Sequence, residues 1–145
     1  MTGEELLDSL STLRRALRRS SRRPAELTVL TGAQLELVRL LRRRPGVSVA
    51  DAARELRLAP NTVSTLVGRL GATGVVVKQP DSADRRVARL DLSRRARTTV
   101  EAWRDRRLER LEAALAGLSP AEVGALEAAR PVLDRLAALL EEDAG

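Results

Sequence analysis

The sequence predicts a mainly α-helical chain with a single small β-hairpin, and three observations predict it. Apolar residues recur at helical spacing along most of the 145 positions. Turn formers punctuate those stretches at Pro24, Pro45-Gly46, Gly74 and Gly117. After Gly74 the helical period gives way to two short strand-like runs, Val75–Gln79 and Arg86–Leu92, joined by a polar loop over Pro80–Arg85.

The elements follow in order. Leu6, Leu10, Leu13 and Leu17 step by four, three and four, which predicts an amphipathic first helix with Thr2 as N-cap and a break at Arg22-Arg23-Pro24. Thr31 caps a second helix carrying Leu35, Val38 and Leu41, which stops at Pro45-Gly46. Ser48 caps a third, with Ala52, Ala53, Leu56 and Leu58 facing inward and Asp51 at the positive end of its dipole. The link Leu58-Ala59-Pro60 leads into a fourth helix, where Pro60 occupies the first position and needs no N–H. Val63, Leu66, Val67 and Leu70 share one face of it; Asn61, Thr62, Ser64 and Thr65 lie opposite, with Arg69 one turn on. Beyond the hairpin, Ser93 caps a long helix with Val100, Leu108, Leu111 and Leu115. Ser119-Pro120-Ala121-Glu122 starts the last, which carries Val123, Leu126, Leu133, Leu136 and Leu140 and is expected to kink at Pro131.

Composition narrows the function. One Trp and no Phe or Tyr make the core aliphatic. No apolar run is long enough to span a bilayer, and the N-terminus lacks a signal-peptide pattern, so a cytoplasmic protein is expected. Absence of Cys and His removes disulfides, thiolate sites, the commonest metal ligand and the commonest general base. Asp8, Asp105 and Glu109 show no metal-selecting spacing, and no cofactor is expected. There is no Gly-rich phosphate loop and no nucleophile–base pair, which argues against an enzyme. The net charge of +6 is uneven: residues 31–98 hold fourteen basic and six acidic residues, whereas 99–145 hold six basic and ten acidic. The positive field therefore sits on the fourth helix and the hairpin, where nucleic acid is its natural partner.

Two short helices joined as tightly as the third and fourth form a helix-turn-helix, whose second member is the reader. Its short hydrogen-bonding side chains suit a DNA major groove, and an Arg-tipped hairpin beside it suits the neighbouring minor groove. The first and the last two helices carry more apolar seam than one small lobe can cover, which predicts a two-fold dimer. The competing reading is a winged helix used only for protein contacts, without specific DNA binding.

These residues resemble the MarR family of winged helix-turn-helix transcriptional regulators. Leu30-Thr31-Gly32-Ala33-Gln34 is similar to the family's Leu-Thr-x-x-Gln start of the second helix, and Thr62 to Leu70 to its recognition helix. Ala72-Thr73-Gly74-Val75-Val76 is similar to the turn before the wing. Pro80-Asp81-Ser82-Ala83-Asp84-Arg85-Arg86 followed by Leu90-Asp91-Leu92-Ser93 resembles the wing signature, Asp-x-Arg and then Leu-Thr, the most specific of these elements. The resemblance implies a single domain over 1–145, with a DNA-binding lobe at 31–93 and a helical dimerisation region at 1–23 and 94–145. It implies a homodimeric regulator, a repressor, on an inverted-repeat operator of double-stranded DNA. In it Arg86 holds the Asp-x-Arg position with Asp84 as its acid and Arg85 at the wing tip; the side-chain chemistry of the fourth helix gives base contacts to Asn61, Thr62, Ser64 and Thr65 and a phosphate contact to Arg69. Two departures stand out: Thr65 replaces a residue often basic, and Gly68 one often acidic. Gly71 adds a second helix-weakening position, each Gly costing roughly 1 kcal/mol relative to Ala.

Members of the family often bind small aromatic or phenolic effectors in a cleft between the two regions. Trp103 is placed to line such a cleft, and Arg14 and Arg18, with Arg15 and Arg19, to pair with an anionic effector; the competing readings are core packing for Trp103 and a solvated face for the arginines.

Overall fold

In the computed structural model residues 1–142 are described. The chain divides into two compact units, residues 1–106 and 107–145. Its elements run α1 (Gly3–Ser20), α2 (Ala25–Thr28), α3 (Gly32–Arg43), β1 (Val47–Ser48), α4 (Val49–Leu56), α5 (Pro60–Ala72), β2 (Val76–Pro80), β3 (Ala88–Leu92), α6 (Arg94–Leu115) and α7 (Pro120–Glu142). Among the described residues no helix is long and apolar enough to cross a membrane.

Local chemistry sets most helix starts. Thr2 and Thr31 each close a capping box, with Glu5 and Gln34 reaching back to the cap N–H at 2.7 and 2.9 Å. Ser48 Oγ accepts from the Asp51 N–H at 3.1 Å, and Ser93 Oγ from the Ala96 N–H at 3.2 Å. α5 has no side-chain cap; Pro60 at its start removes one of the donors that would need one. Two tight reversals need a left-handed residue: Gly46 at φ +80 after α3 and Gly74 at φ +74 after α5. Arg57 ends α4 in the same conformation at φ 52, so the turn between α4 and α5 is made by a non-glycine.

The core of the first unit is aliphatic but for one indole. α3 buries Leu35, Leu37, Val38, Leu40 and Leu41, α4 buries Ala52 and Ala53, and α5 buries Val63, Leu66, Val67 and Leu70. These pack with Leu90 and Leu92 of β3, and with Ala96, Val100 and Trp103 of α6. The antiparallel sheet has the order β1-β3-β2, with Val47 opposite Leu90 and Val76 opposite Leu92. Leu90 therefore sits in the central strand and is wholly buried. α1 lies in the same unit yet buries no residue: Leu6 and Leu17 are half-buried, and Leu10 and Leu13 are exposed.

Two elements were not expected. α2 is one turn long, yet its Leu27 is 1% exposed and belongs to the core. β1 is two residues that double as the approach to α4. The first hairpin strand is shifted by one residue from the expected run, and the second is shorter than expected because Arg86 and Val87 are taken into the turn. The Val87 N–H donates to the Asp84 carbonyl at 3.0 Å, and the Asp81 N–H to the Val87 carbonyl at 2.9 Å.

In the second unit, Ser119 and Glu122 cap α7 reciprocally: the Ser119 N–H donates to Glu122 at 2.8 Å and the Glu122 N–H to Ser119 Oγ at 3.3 Å. The helix runs through Pro131 as one element. Leu126, Leu133 and Leu140 stand exposed along it.

Gly68 gives a stability prediction. It is exposed in mid-helix, has no positive φ, and a Cβ built there meets nothing within 4 Å. Gly68→Ala should therefore raise stability by about 1 kcal/mol, the ordinary helix-propensity difference. Thermal or urea melts of the two proteins measure it; an unchanged or lowered midpoint would contradict this account of α5.

Candidate nucleic-acid interface

The buried face of α5 decides what the helix shows outside. With Val63, Leu66, Val67 and Leu70 locked into the core, Asn61, Thr62, Ser64, Thr65, Gly68 and Arg69 are all exposed. These are the residues that helical spacing places opposite the core. The face is polar and free of acids. The Thr65 hydroxyl donates to the Asn61 carbonyl at 3.0 Å, so its proton is engaged within the helix while its methyl and its oxygen lone pairs remain available.

The wing rises beside this helix from the same core. β2 follows α5 through Gly74, whose N–H donates to the Gly71 carbonyl at 3.1 Å, while the Val75 N–H donates to Leu70 at 2.9 Å. β3 returns the chain to the core at Leu90 and Leu92. Arg85 and Arg86 lie on the turn and are exposed, as the wing pattern implies. Ion pairs fasten the start of α6 to the same unit: Arg97 with Asp91, Arg95 with Glu26 at 2.8 Å, and Arg42 with Glu101 at 3.9 Å.

One expected pairing is corrected. Asp84 does not hold the guanidinium of Arg86; its Oδ1 accepts the backbone N–H of Arg86 at 3.0 Å and shapes the turn. The acid that orients a wing arginine is Asp81. Its Oδ1 accepts from Arg89 Nε at 2.8 Å, and its Oδ2 accepts the N–H groups of Ala83 and Asp84 at 3.1 and 3.0 Å. Sequence reasoning missed this pair because it spans eight residues across the hairpin and depends on strand register.

The expected effector residues are separated. Trp103 is 7% exposed, packed in the core, with the Arg23 guanidinium 5.8 Å from the ring centroid. Arg18 lines an open cleft of about 790 Å³ with Arg22, Arg23, Pro24, Thr28 and Val29. Arg14 is exposed on α1 and is not part of that cleft. A smaller cavity of about 270 Å³ lies between α2, the Thr73–Val75 turn and the first turns of α6, beside the Arg95–Glu26 pair.

With this geometry, the first unit is a winged helix-turn-helix: α4 and α5 form the helix pair, and β2 and β3 the wing. Residues 30–87, which hold the helix-turn-helix and most of the wing, match the family model described as MarR family. No curated protein matches the chain. Among solved structures, a MarR-like transcriptional regulator from Thermotoga maritima is similar at 18% identity and TM-score 0.82, over 94% of this chain and 98% of that one. FabT from Streptococcus pneumoniae, solved in complex with DNA, is 19% identical with TM-score 0.71, over 96% of this chain and 92% of that one. BpsR from Bordetella bronchiseptica, a protein whose DNA binding is regulated by 6-hydroxynicotinic acid, is 22% identical with TM-score 0.61, over 92% of this chain and 93% of that one.

The wing acid gives a prediction with a definite sign. The hydrogen bond from Arg89, with the N–H groups of Asp84 and Ala83, holds the Asp81 carboxyl below its ordinary value of 3.8; partial burial opposes them. The folded state thus binds this proton more weakly than the unfolded chain. Asp81 contributes stability above about pH 3.8, and that contribution is lost as pH falls through the folded value. Asp81→Asn should melt lower than the wild type at pH 7, with the difference shrinking at more acid pH. A difference that is constant across the acid range would contradict the assignment.

Proposed function

We propose that the protein is a sequence-specific DNA-binding transcriptional regulator, a repressor that acts as a homodimer on an inverted-repeat operator. One observation carries the reading. The acid-free polar face of α5 and the exposed Arg85 and Arg86 of the wing are mounted on one aliphatic core, within the segment of densest positive charge. A helix of this kind enters a major groove, and arginines beside it enter the electronegative minor groove. Asn61, Thr62, Ser64 and Thr65 are the base-facing residues, and Arg69 a phosphate contact. Asp84 shapes the turn that presents Arg85 and Arg86. The fold shared with FabT, solved in complex with DNA, supports the same reading.

The apolar residues left exposed on α1 and α7, Leu10, Leu13, Leu126, Leu133 and Leu140, support self-association through the terminal helices. The cleft of Arg18, Arg22 and Arg23 supports a small anionic effector, and the regulation of BpsR by 6-hydroxynicotinic acid agrees with that class. Such a ligand weakens DNA binding only through its differential affinity for two states of the dimer.

Two experiments test the reading. Titration of the protein into duplex DNA at increasing salt should show affinity falling on the order of a thousandfold between low and moderate salt, for six or more phosphate contacts. A binding constant indifferent to salt would refute DNA binding and favour a protein-contact module. Selection of preferred sites from a randomised duplex pool should return an inverted repeat with half-sites about 10 bp apart. In the same selection Asn61→Ala and Thr65→Ala should change the base preferred at the contacted position, by roughly 1–3 kcal/mol. Arg85→Ala and Arg86→Ala should weaken binding to all sites alike. An identical preferred site for all four variants would remove Asn61 and Thr65 as base readers.

A further inference from the structure

Arg89 lies on β3, the central strand, where it stands opposite Gln79 of β2 on one side and Ser48 of β1 on the other. Its guanidinium has two partners in different parts of the chain. Nε donates to Asp81 Oδ1 at 2.8 Å, at the base of the wing turn, and Nη1 donates to the Gly46 carbonyl at 3.4 Å, in the turn between α3 and β1. Gly46 is itself tied to the same strand, since its N–H donates to the Leu90 carbonyl at 2.9 Å. Its φ of +80 is the left-handed conformation that favours glycine in this turn. β1 continues without a break into α4, the first helix of the helix-turn-helix.

We infer that Arg89 is a positioning residue for DNA recognition, one that fixes the angle between the wing and the helix-turn-helix. This rests on the DNA-binding reading given above. Beyond the strand ladder the wing turn is held by its own short hydrogen bonds: Asp81 to the N–H groups of Ala83 and Asp84, Asp84 to the N–H of Arg86, and the Val87 N–H to Asp84. Those bonds shape the turn but leave its orientation to the two strands, and a two-stranded ribbon twists and bends readily. Asp81 is the residue through which the turn meets a fixed point. One of its carboxylate oxygens organises the turn and the other takes Arg89, so turn shape and turn orientation meet in one side chain. The fork geometry of a guanidinium is what the position requires, because two acceptors in different directions must be met at once; a lysine ammonium is a single point that meets one of them. Asp81 is nearly covered, with its side chain 17% exposed, while that of Arg89 is 40% exposed. The pair is thus shielded on the acid's side, and the positive charge is neutralised at the wing base rather than at its tip. Arg85 and Arg86 remain the groups offered to DNA, and Arg89 acts through them.

The experiment is a double-mutant cycle on DNA affinity. Wild type, Arg89→Ala, Arg86→Ala and the double variant are titrated against one duplex selected by the wild-type protein from a randomised pool, at two salt concentrations. Arg89→Lys serves as a second variant that keeps charge but not the fork, and thermal melts establish that each protein is folded. Arg89→Ala and Arg89→Lys should each lose affinity roughly tenfold, the scale of one positioned arginine contact. In the Arg86→Ala background the Arg89→Ala loss should shrink to about twofold or less, because the contact it positions is already gone. Amide exchange over residues 81–87 of the free protein should quicken in Arg89→Ala, while that of α5 stays as in wild type. Equal losses in both backgrounds would mean that Arg89 meets DNA directly or acts elsewhere, and would overturn the inference. So would full affinity in Arg89→Lys, or unchanged exchange in the wing. A wild-type protein that binds no duplex would overturn the DNA reading itself, a result distinct from binding that is indifferent to Arg89.

Discussion

Burial of one aliphatic face of α5 is the constraint on which the rest depends. Val63, Val67 and Leu70 have almost no exposure, and they meet the wholly buried Leu90 of the central strand in one cluster. Each such side chain contributes on the order of 1.5–3 kcal/mol when taken out of water, and close packing leaves it little freedom to rotate. The rotation of α5 is therefore fixed, and with it the identity of every residue on the outer face. The same strand that holds Leu90 also carries the wing back to the core. Reader and wing are two outputs of one packed cluster. The cluster is aliphatic except for Trp103: side chains from α2, α3, α4, α5 and α6 meet the three-stranded sheet in it.

Electrostatics then divides labour within that frame. The acids of the first unit are largely occupied in internal pairs and caps: Asp51 with Arg54, Glu55 with Arg44, Asp81 with Arg89, Asp91 with Arg97 and Glu26 with Arg95. Most of these pairs are exposed and contribute little each to stability. Their effect is on the distribution of charge. Acids sit where they pair with arginines at the base of the wing and near the start of α6, and Arg85, Arg86 and Arg69 stand exposed among the outward positive groups. A polyanion meets that side of the lobe with least opposition.

How much of this was legible in the sequence follows from the range of each interaction. Thr2, Thr31, Ser48, Ser93 and Ser119 each cap a helix within three or four residues, and each was readable from local spacing. The face of α5 was readable because the helical period alone separates Val63, Leu66, Val67 and Leu70 from the polar residues. What was not legible lies at longer range or below the length at which a period shows. α2 has four residues and β1 two, too few for any pattern. The Asp-x-Arg resemblance pairs Asp84 with Arg86; in the turn the Asp84 carboxylate accepts the Arg86 backbone N–H, and a side-chain pair forms between Asp81 and Arg89, brought together only by the hairpin register. For Trp103 the reading of core packing, rather than of a cleft wall, is the one that agrees with its place beside Val100 and Ala96 in the core.

The central claim is that α5 and the wing address adjacent grooves as one rigid body. Chemical footprinting on a selected duplex tests it most directly, with a methylation probe for the major groove and hydroxyl radicals for the minor groove. The account predicts protected guanines in two major-groove segments related by a two-fold axis, each with a protected minor-groove segment immediately beside it, and loss of the minor-groove protection alone in Arg86→Ala. Major-groove protection without the adjacent minor-groove signal, or minor-groove protection that survives Arg86→Ala, would contradict it.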